Sequence, residues 1–452
     1  MTPPKPEPRA DKVSIWGHLR AFRRDILSAQ PARLYRAWMA EFRTPFFESY
    51  LCNDPVLVRR VLDERPGDFP KSGRVTEGLR PVLGRSVFLT NGEEWLRQRR
   101  IIDPAFEGGR VREAFPAIWA ASEAAVARMR TGEVEVEQEA SHAAADVIFR
   151  TLFSIPIEDR VAQAVFHAFR AYQRSAPILN LAAFLPLPSW MPRLHRRATL
   201  RSAKAIRTLI AGLTEARAEA ITEGRAPPDL ATRIMTTPDP VTGAVFGTAE
   251  MIDQVAIFFL AGHETSASAL GWALYLLATH PAAQDRVAAE AAGLRPAFGT
   301  VGDLRFTRDV FRETLRLYPP VPMLVRETTG AEEFRGRKVR RGAQVVISPW
   351  HLHRHERLWD RPDAFDPDRW AGEGREAARD GYLPFSRGPR VCPGAGFAML
   401  EGTLMLAHLV RAFRFQAVEG RVPVPVAHLT VRAKDGIRLR VSRRQAGDPP
   451  AF

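Results

Sequence analysis

Two cysteines, Cys52 and Cys392, are all that 452 residues carry. A disulfide framework is therefore excluded, and the count fits a reducing compartment. No uninterrupted apolar run approaches the roughly 18 residues that a membrane-spanning helix needs. The first ten residues include four prolines and hold no apolar core of the signal-peptide kind, so a cytoplasmic location without a transmembrane anchor is expected. Linkers, repeats and low-complexity spacers are lacking as well. Length alone suggests about three domains; with nothing to divide it, the chain reads as a single domain over 1–452 with a flexible proline-rich lead at about 1–12. Zinc-finger spacing and compact basic runs are missing, although Lys and Arg number 65 against 51 Asp and Glu. That positive excess suits an acidic protein partner or a membrane surface, and no nucleic acid is expected. Hydrophobic residues make up 45% of the chain, ample for a core.

What is present reads as mainly helical. Residues 15–42 are expected to be a basic helix and 45–52 a strand. Asp54 as N-cap and Pro55 at the first helical position start a helix running to Glu64. Residues 71–91, with Gly73, Gly78 and Gly84, read as loop. Residues 111–236 read as several amphipathic helices with an apolar connection at 178–188, and 249–280 as one long helix.

Chemistry concentrates at a few places. Cys392 stands between a loop rich in Gly, Pro and Arg and a helical run over 397–413. A thiolate is a nucleophile and metal ligand, and a helix N-terminus stabilises it. Pro393 removes one amide donor, and Gly388 and Gly394 allow backbone to approach a flat ligand closely. Taken alone, Cys392 reads equally well as a buried structural cysteine. On the long helix, Phe258, Ala261, Gly262 and Thr265 share one small, apolar face that carries a single hydroxyl, with Glu264 beside it. His263 lies on another face and reads as structural. Trp95 and Arg99 stand one above the other at i and i+4, and a guanidinium is the natural partner of a buried carboxylate. Glu313 and Arg316 share a helical face that Pro319 stops. His351, His353 and His355 alternate, but the closing ligands of a structural zinc site are missing.

Phe385, Gly388, Arg390, Cys392 and Gly394 together spell Phe-x-x-Gly-x-Arg-x-Cys-x-Gly. In combination with Trp95 and Arg99, with Ala-Gly-x-Glu-Thr at 261–265, with Glu313 and Arg316, and with Arg369 in a later loop, this resembles the cytochrome P450 family of haem-thiolate monooxygenases. The resemblance implies a mainly α fold, a triangular helical prism with a smaller β part, and haem b as cofactor. Cys392 would be the axial ligand of the haem iron. Trp95, Arg99, Arg326, Arg390, Phe385, Gly394 and Ala261 would surround the haem, with Lys71 a further contact to a propionate. Thr265 and Glu264 would deliver protons for dioxygen activation, and Glu313, Arg316 and Arg369 would support the fold. Phe88, Phe258, Phe259, Met323, Leu324 and Val325 are candidates for the substrate pocket, and 178–188 for its roof.

The implied reaction inserts one oxygen atom from O2 into a hydrophobic small molecule such as a terpenoid, steroid, fatty acid or aromatic. No flavin module is evident, so electrons are expected from an acidic ferredoxin or flavodoxin with its reductase, docking on Arg97, Arg99, Arg100, Arg387 and Arg390. A monomer is expected. Two rival readings are a peroxide-using haem-thiolate enzyme and a non-catalytic haem-based ligand sensor.

Overall fold

The computed structural model describes residues 2–11, 13–44, 47–107, 109–175, 197–371 and 380–445. The apolar connection at 178–188 lies outside the described residues. In chain order the helices are α1 (Ile15–Arg24), α2 (Pro55–Arg59), α3 (Gly73–Leu83), α4 (Gly92–Ile102), α5 (Arg110–Glu113), α6 (Phe115–Arg128), α7 (Val136–Phe153), α8 (Arg160–Ser175), α9 (Arg197–Thr222), α10 (Leu230–Thr236) and α11 (Thr248–Thr279). After them come α12 (Pro281–Ala291), α13 (Arg305–Leu317), α14 (Pro349–Leu352) and α15 (Ala395–Ala412). Among the described residues four small sheets complete the fold; besides the strands of the largest they contain β3 (Gly132–Glu135), β5 (Glu332–Phe334), β6 (Arg337–Val339), β8 (Phe413–Ala417), β9 (Pro425–Ala427), β10 (Val431–Ala433) and β11 (Arg438–Arg443). The largest joins β1 (Met39–Thr44), β2 (Phe47–Cys52), β7 (Gln344–Ile347) and β4 (Leu324–Glu327) in that spatial order, with β2 and β7 parallel.

Helix α11 organises the rest. Its 32 residues span about 48 Å at the α-helical rise. It is apolar nearly all round, as a helix must be when other elements pack on every side. Helices α7, α9, α13 and α15 do so. At Gly262 the side chain of Ile148 on α7 comes so near that a Cβ there would run into it. The mid-helix glycine is thus required by packing at the same turn that carries the hydroxyl of Thr265.

Several local expectations change once tertiary contacts act. The first helix stops at Arg24, because the buried carboxylate of Asp25 accepts from the amides of Leu27, Ser28 and Ala427 and turns the chain. Strand β1 already begins at Met39, so 15–42 is not one helix. Residues 71–91 are not all loop. Helix α3 forms despite Gly78 and Pro81, burying Leu79, Val82 and Leu83, and ends at Gly84, whose φ of 53° suits glycine. The carboxylate of Asp253 and the amide of Gln254, both on α11, then receive the amides of Arg85 and Val87. Asp54 caps α2 as its sequence indicates, accepting from Val56 N at 3.0 Å.

The proline-rich lead makes specific contacts with the body of the protein. Pro3 is buried, the hydroxyl of Tyr318 donates to the carbonyl of Pro4 at 2.8 Å, and Lys5 pairs with Asp363. Arg9 donates from its backbone to Gln30 and from Nε to Ala29. An extended proline segment leaves its carbonyls unpaired, and here the buried Tyr318 hydroxyl uses one of them.

Glu313 and Arg316, both fully buried on α13, sit at the centre of a network. All five N–H groups of Arg316 are used. Nε and one Nη2 hydrogen reach Glu313 at 2.9 and 2.8 Å, and the others reach the carbonyls of His353, Pro362 and Ala364. Arg369 Nε donates to Glu313 at 3.2 Å, as the family resemblance implied, and the Trp370 indole and Asp366 amide add two donors that sequence did not indicate.

The three alternating histidines have separate partners. Ser348 Oγ lies 2.8 Å from His351 Nδ1, the amide of Leu383 donates to His353 Nε2 at 2.7 Å, and His355 stacks on Trp38. Burial first, and then neighbouring cationic charge, pushes His351 and His353 down to about 3. His263 behaves the same way, also down to about 3, with its Nε2 on Ser141 Oγ at 2.8 Å. Each folded value lies below the ordinary histidine value near 6.5, so in the interval between them the unfolded chain binds more protons. The stability these neutral rings hold is complete above about pH 6.5 and is lost as pH falls towards 3. The unfolding free energy should therefore decline from pH 7 to pH 5. A His353→Gln variant, measured by denaturant titration, should show a slope shallower by up to about 1.4 kcal/mol per pH unit.

Candidate active site

A cavity of about 550 Å³ lies between α11 and the loop that leads into α15. Its size is in the range of small-molecule sites. One wall is the face of α11 formed by Phe258, Ala261, Gly262 and Thr265. The opposite wall is the loop with Phe385, Arg390, Cys392 and Gly394. That loop is held in place by backbone: Cys392 N donates to Phe385 O at 2.9 Å, and Arg99 Nη1 donates to Val391 O at 2.7 Å.

Gly388 has φ of 70° and packs against the carbonyl of Leu62, in the turn at 60–64. Its task is to seat the loop on the protein, not to admit a flat ligand. Gly394 does border the cavity, and α15 begins at Ala395, two residues earlier than the sequence suggested.

Cys392 is open to the cavity but enclosed by protein on its other sides. Burial pushes its thiol up, while the amide of Gly394 and the charge of Arg99 pull it down. Across the cavity, Thr265 Oγ1 donates to Ala261 O at 2.6 Å, which leaves the hydroxyl oxygen available as an acceptor. Such i−4 bonding also loosens the helix locally.

Positive charge converges at one edge. Lys71 Nζ and the guanidinium carbons of Arg390 and Arg99 lie 5.4, 5.2 and 5.9 Å from the Trp95 ring centroid, and Arg326 bridges to Lys71 through backbone. Arg99 is paired with Asp103. The Nε atoms of Arg326 and Arg390 are buried and without a hydrogen-bond partner among the described residues. Burial, and then the charges of Arg326, Arg390 and Arg99, push Lys71 down to about 6. A buried cationic cluster with orphaned donors is costly unless an anion joins it. The two carboxylates of a haem would satisfy it, and Cys392 and Thr265 line the same cavity. The donor set therefore fits haem. Lys71 is less free than the others, since its Nζ donates to the carbonyls of Val87 and Thr90 at 2.6 and 3.0 Å.

The described substrate-facing positions divide. Phe88, Phe258, Met323, Leu324 and Val325 line the cavity. Phe259 does not. One residue further round α11, it packs on Phe149 and Phe169 with ring centroids 4.7 and 4.8 Å away. Glu264 also turns from the cavity, and its Oε1 accepts from Thr430 Oγ1 at 2.5 Å and Arg432 Nη2 at 2.6 Å. Sequence reasoning missed Ile148 and Thr151 of α7, as well as His428 and Leu429, all of which line the cavity. The first two follow a helical spacing without chemistry of its own, and the last two carry no local signal.

Residues 35–441 match the family model described as cytochrome P450. The chain belongs to the cytochrome P450 family. Curated P450 relatives include cyclooctat-9-en-7-ol 5-monooxygenase from Streptomyces melanosporofaciens, 33% identical over 90% of this chain and 89% of that protein. Another is pentalenene oxygenase from Streptomyces avermitilis, 29% identical over 96% of this chain and 97% of that protein. Among solved structures, the haem domain of cytochrome P450DA superposes with a TM-score of 0.80 at 25% identity, covering 98% of this chain and 99% of that one. This P450 is accordingly an oxidoreductase that incorporates oxygen from O2, and its cofactor is haem b. No helix among the described residues is long and apolar enough to cross a membrane.

The arginines expected to form a basic docking face are largely neutralised. Arg97 pairs with Glu250, Arg100 with Asp239 and Arg387 with Asp63, each at 2.6 Å, while Arg99 pairs with Asp103 and Arg390 faces the cavity. An excess of charge counted along the sequence says nothing about pairing in space.

Proposed function

We propose that this P450 hydroxylates a terpenoid, with Cys392 as the thiolate ligand of the haem iron. The observation that carries the reading is the arrangement of Cys392 and Thr265 on opposite walls of one apolar cavity, with the cations of Lys71, Arg99, Arg326 and Arg390 at its edge. Haem with a thiolate ligand supplies the activation of dioxygen that inserts one oxygen atom into an unactivated C–H bond or an alkene. Arg99, Arg326, Arg390 and Trp95 would hold the haem carboxylates, and Phe385, Gly394 and Ala261, which line the same cavity, would pack against the ring. Phe88, Phe258, Met323, Leu324 and Val325 exclude water and press a hydrophobic substrate towards Thr265. Thr265 holds a proton beside the reacting oxygen, and Glu264 replenishes it. The terpenoid assignment is supported by apolar walls and by relatives whose names specify cyclooctat-9-en-7-ol and pentalenene.

A Thr265→Ala variant should bind substrate as before, yield product at about a hundredth of the wild-type rate or less, and divert electrons to hydrogen peroxide. Product yield per NADPH consumed and peroxide assays check this. Undiminished product formation would remove Thr265 from the reaction. Turnover driven by peroxide alone would favour the peroxide-using alternative.

Electrons come from a separate ferredoxin or flavodoxin with its reductase. With Arg97, Arg99, Arg100 and Arg387 paired and Arg390 turned to the cavity, any dependence on an acidic partner must arise from the remaining surface charge. Reduction rates measured against ionic strength decide the point: a steep fall with salt supports an acidic partner, and a flat response eliminates the electrostatic argument.

A further inference from the structure

The turn between β9 (Pro425–Ala427) and β10 (Val431–Ala433) faces two ways. His428 and Leu429 line the cavity, whereas Thr430 and Arg432 hold the carboxylate of Glu264. Between them Val431 is fastened to the core: Ser268 of α11 donates to its carbonyl, and its amide donates to Pro320 O at 2.9 Å. Five consecutive residues therefore connect the substrate space, the long helix and the acid next to Thr265.

The carboxylate so held is 3% exposed and points away from the cavity, whereas the Arg432 side chain is 37% exposed. A cation and a hydroxyl bonded to one oxygen hold the Glu264 carboxylate in place. A group that passes protons to Thr265 has to leave that grip. Release does not strand the guanidinium, because Glu137 lies within its field and remains as a second acidic neighbour, and Arg432 also has access to solvent.

We propose that the 428–432 turn couples filling of the cavity to the release of Glu264: a ligand packed on His428 and Leu429 shifts the turn and weakens the hold of Thr430 and Arg432. The proposal rests on reading Glu264 as the proton relay. Coupling is reciprocal, so weakening the hold in advance removes work that the ligand otherwise has to do. Variants without the hold must then bind a cavity-filling ligand more tightly.

The test uses the haem-loaded full chain and two probes followed by their shift of the Soret band. Clotrimazole ligates iron through its imidazole and fills the cavity with three aryl rings, whereas imidazole ligates iron and fills almost nothing. Arg432→Gln and the milder Thr430→Val should each bind clotrimazole at least about fivefold more tightly than wild type with imidazole affinity unchanged. Arg432→Lys should restore the wild-type ratio, and Leu429→Ala placed in the Arg432→Gln background should abolish the gain. The infrared difference between clotrimazole-bound and free protein should show a carboxylate change that Glu264→Gln removes. Equal or weaker clotrimazole binding in both holding variants, or the same change for both probes, overturns the proposal. If Glu264→Gln leaves product yield per NADPH intact while the linkage is present, the relay reading fails and the coupling stands. If Glu264→Gln uncouples turnover and the linkage is absent, the coupling fails and the relay reading stands.

Discussion

Cys392→Ser protein is expected to keep its fold and to lose monooxygenation to background, with no red-shifted Soret band when reduced under carbon monoxide. The loop geometry around position 392 is built from backbone, from the Cys392 amide on Phe385 O and from Arg99 on Val391 O, so the substitution leaves it standing. On the proposed reading it removes an anionic sulfur ligand of the haem, whose electron donation favours O–O cleavage. In the protein alone, burial favours the neutral thiol; a coordinated thiol is deprotonated outright, so loading wild type with haem should release a proton that Cys392→Ser does not. Calorimetry of haem loading in buffers of different ionisation enthalpy measures that proton. A wild-type spectrum of the histidine-ligated kind would overturn the assignment of Cys392.

Arg316→Ala is expected to cost about 3–5 kcal/mol, the usual penalty for breaking a buried ion pair by removing one partner. Total stabilities are about 5–15 kcal/mol, so this is a large share. The pair is fully buried, and Arg316 supplies donors to Glu313 and to three carbonyls. Removing it leaves those carbonyls without donors in a dry interior and leaves Glu313 to Arg369, Trp370 and the Asp366 amide. The effect should travel to the cysteine loop. Arg316 bonds the carbonyl of His353, and His353 Nε2 receives the amide of Leu383, two residues before Phe385. Denaturant unfolding should show the stability loss, and haem retention after gel filtration should fall with it. Arg316→Lys should recover little, because an ammonium has three donors and no planar fork to match the carboxylate and carbonyl geometry. A variant with wild-type midpoint and full haem retention would show that the network is dispensable.

The motifs were legible in the sequence because each is local. Trp95 and Arg99 are one helical turn apart, as are Ala261 and Thr265, and Phe385 to Gly394 is one loop. Spacing within an element survives folding unchanged, so these residues meet the cavity together as their order implies. Glu313 and Arg316 were legible for the same reason. Even the immediate neighbour defeats such reasoning when the question is direction. Phe258 lines the cavity and Phe259 does not; Thr265 faces it and Glu264 turns away. A helix rotates about 100° per residue, and which sector is buried against which neighbour depends on α7 and on the β9–β10 turn.

The sequence by itself determined the family, the cysteine, the hydroxyl opposite it and the mainly helical fold, because these depend on residue type and short-range spacing. Only the tertiary structure decided that α3 is a helix despite its glycines and proline, since its stability comes from Leu79, Val82 and Leu83 packing on distant elements. It alone paired Arg97, Arg100 and Arg387 with acids and left Arg326 and Arg390 with donors to offer. And it alone brought Thr430 and Arg432 to Glu264, some 166 residues away along the chain, because burying a charge demands a partner wherever the fold can supply one.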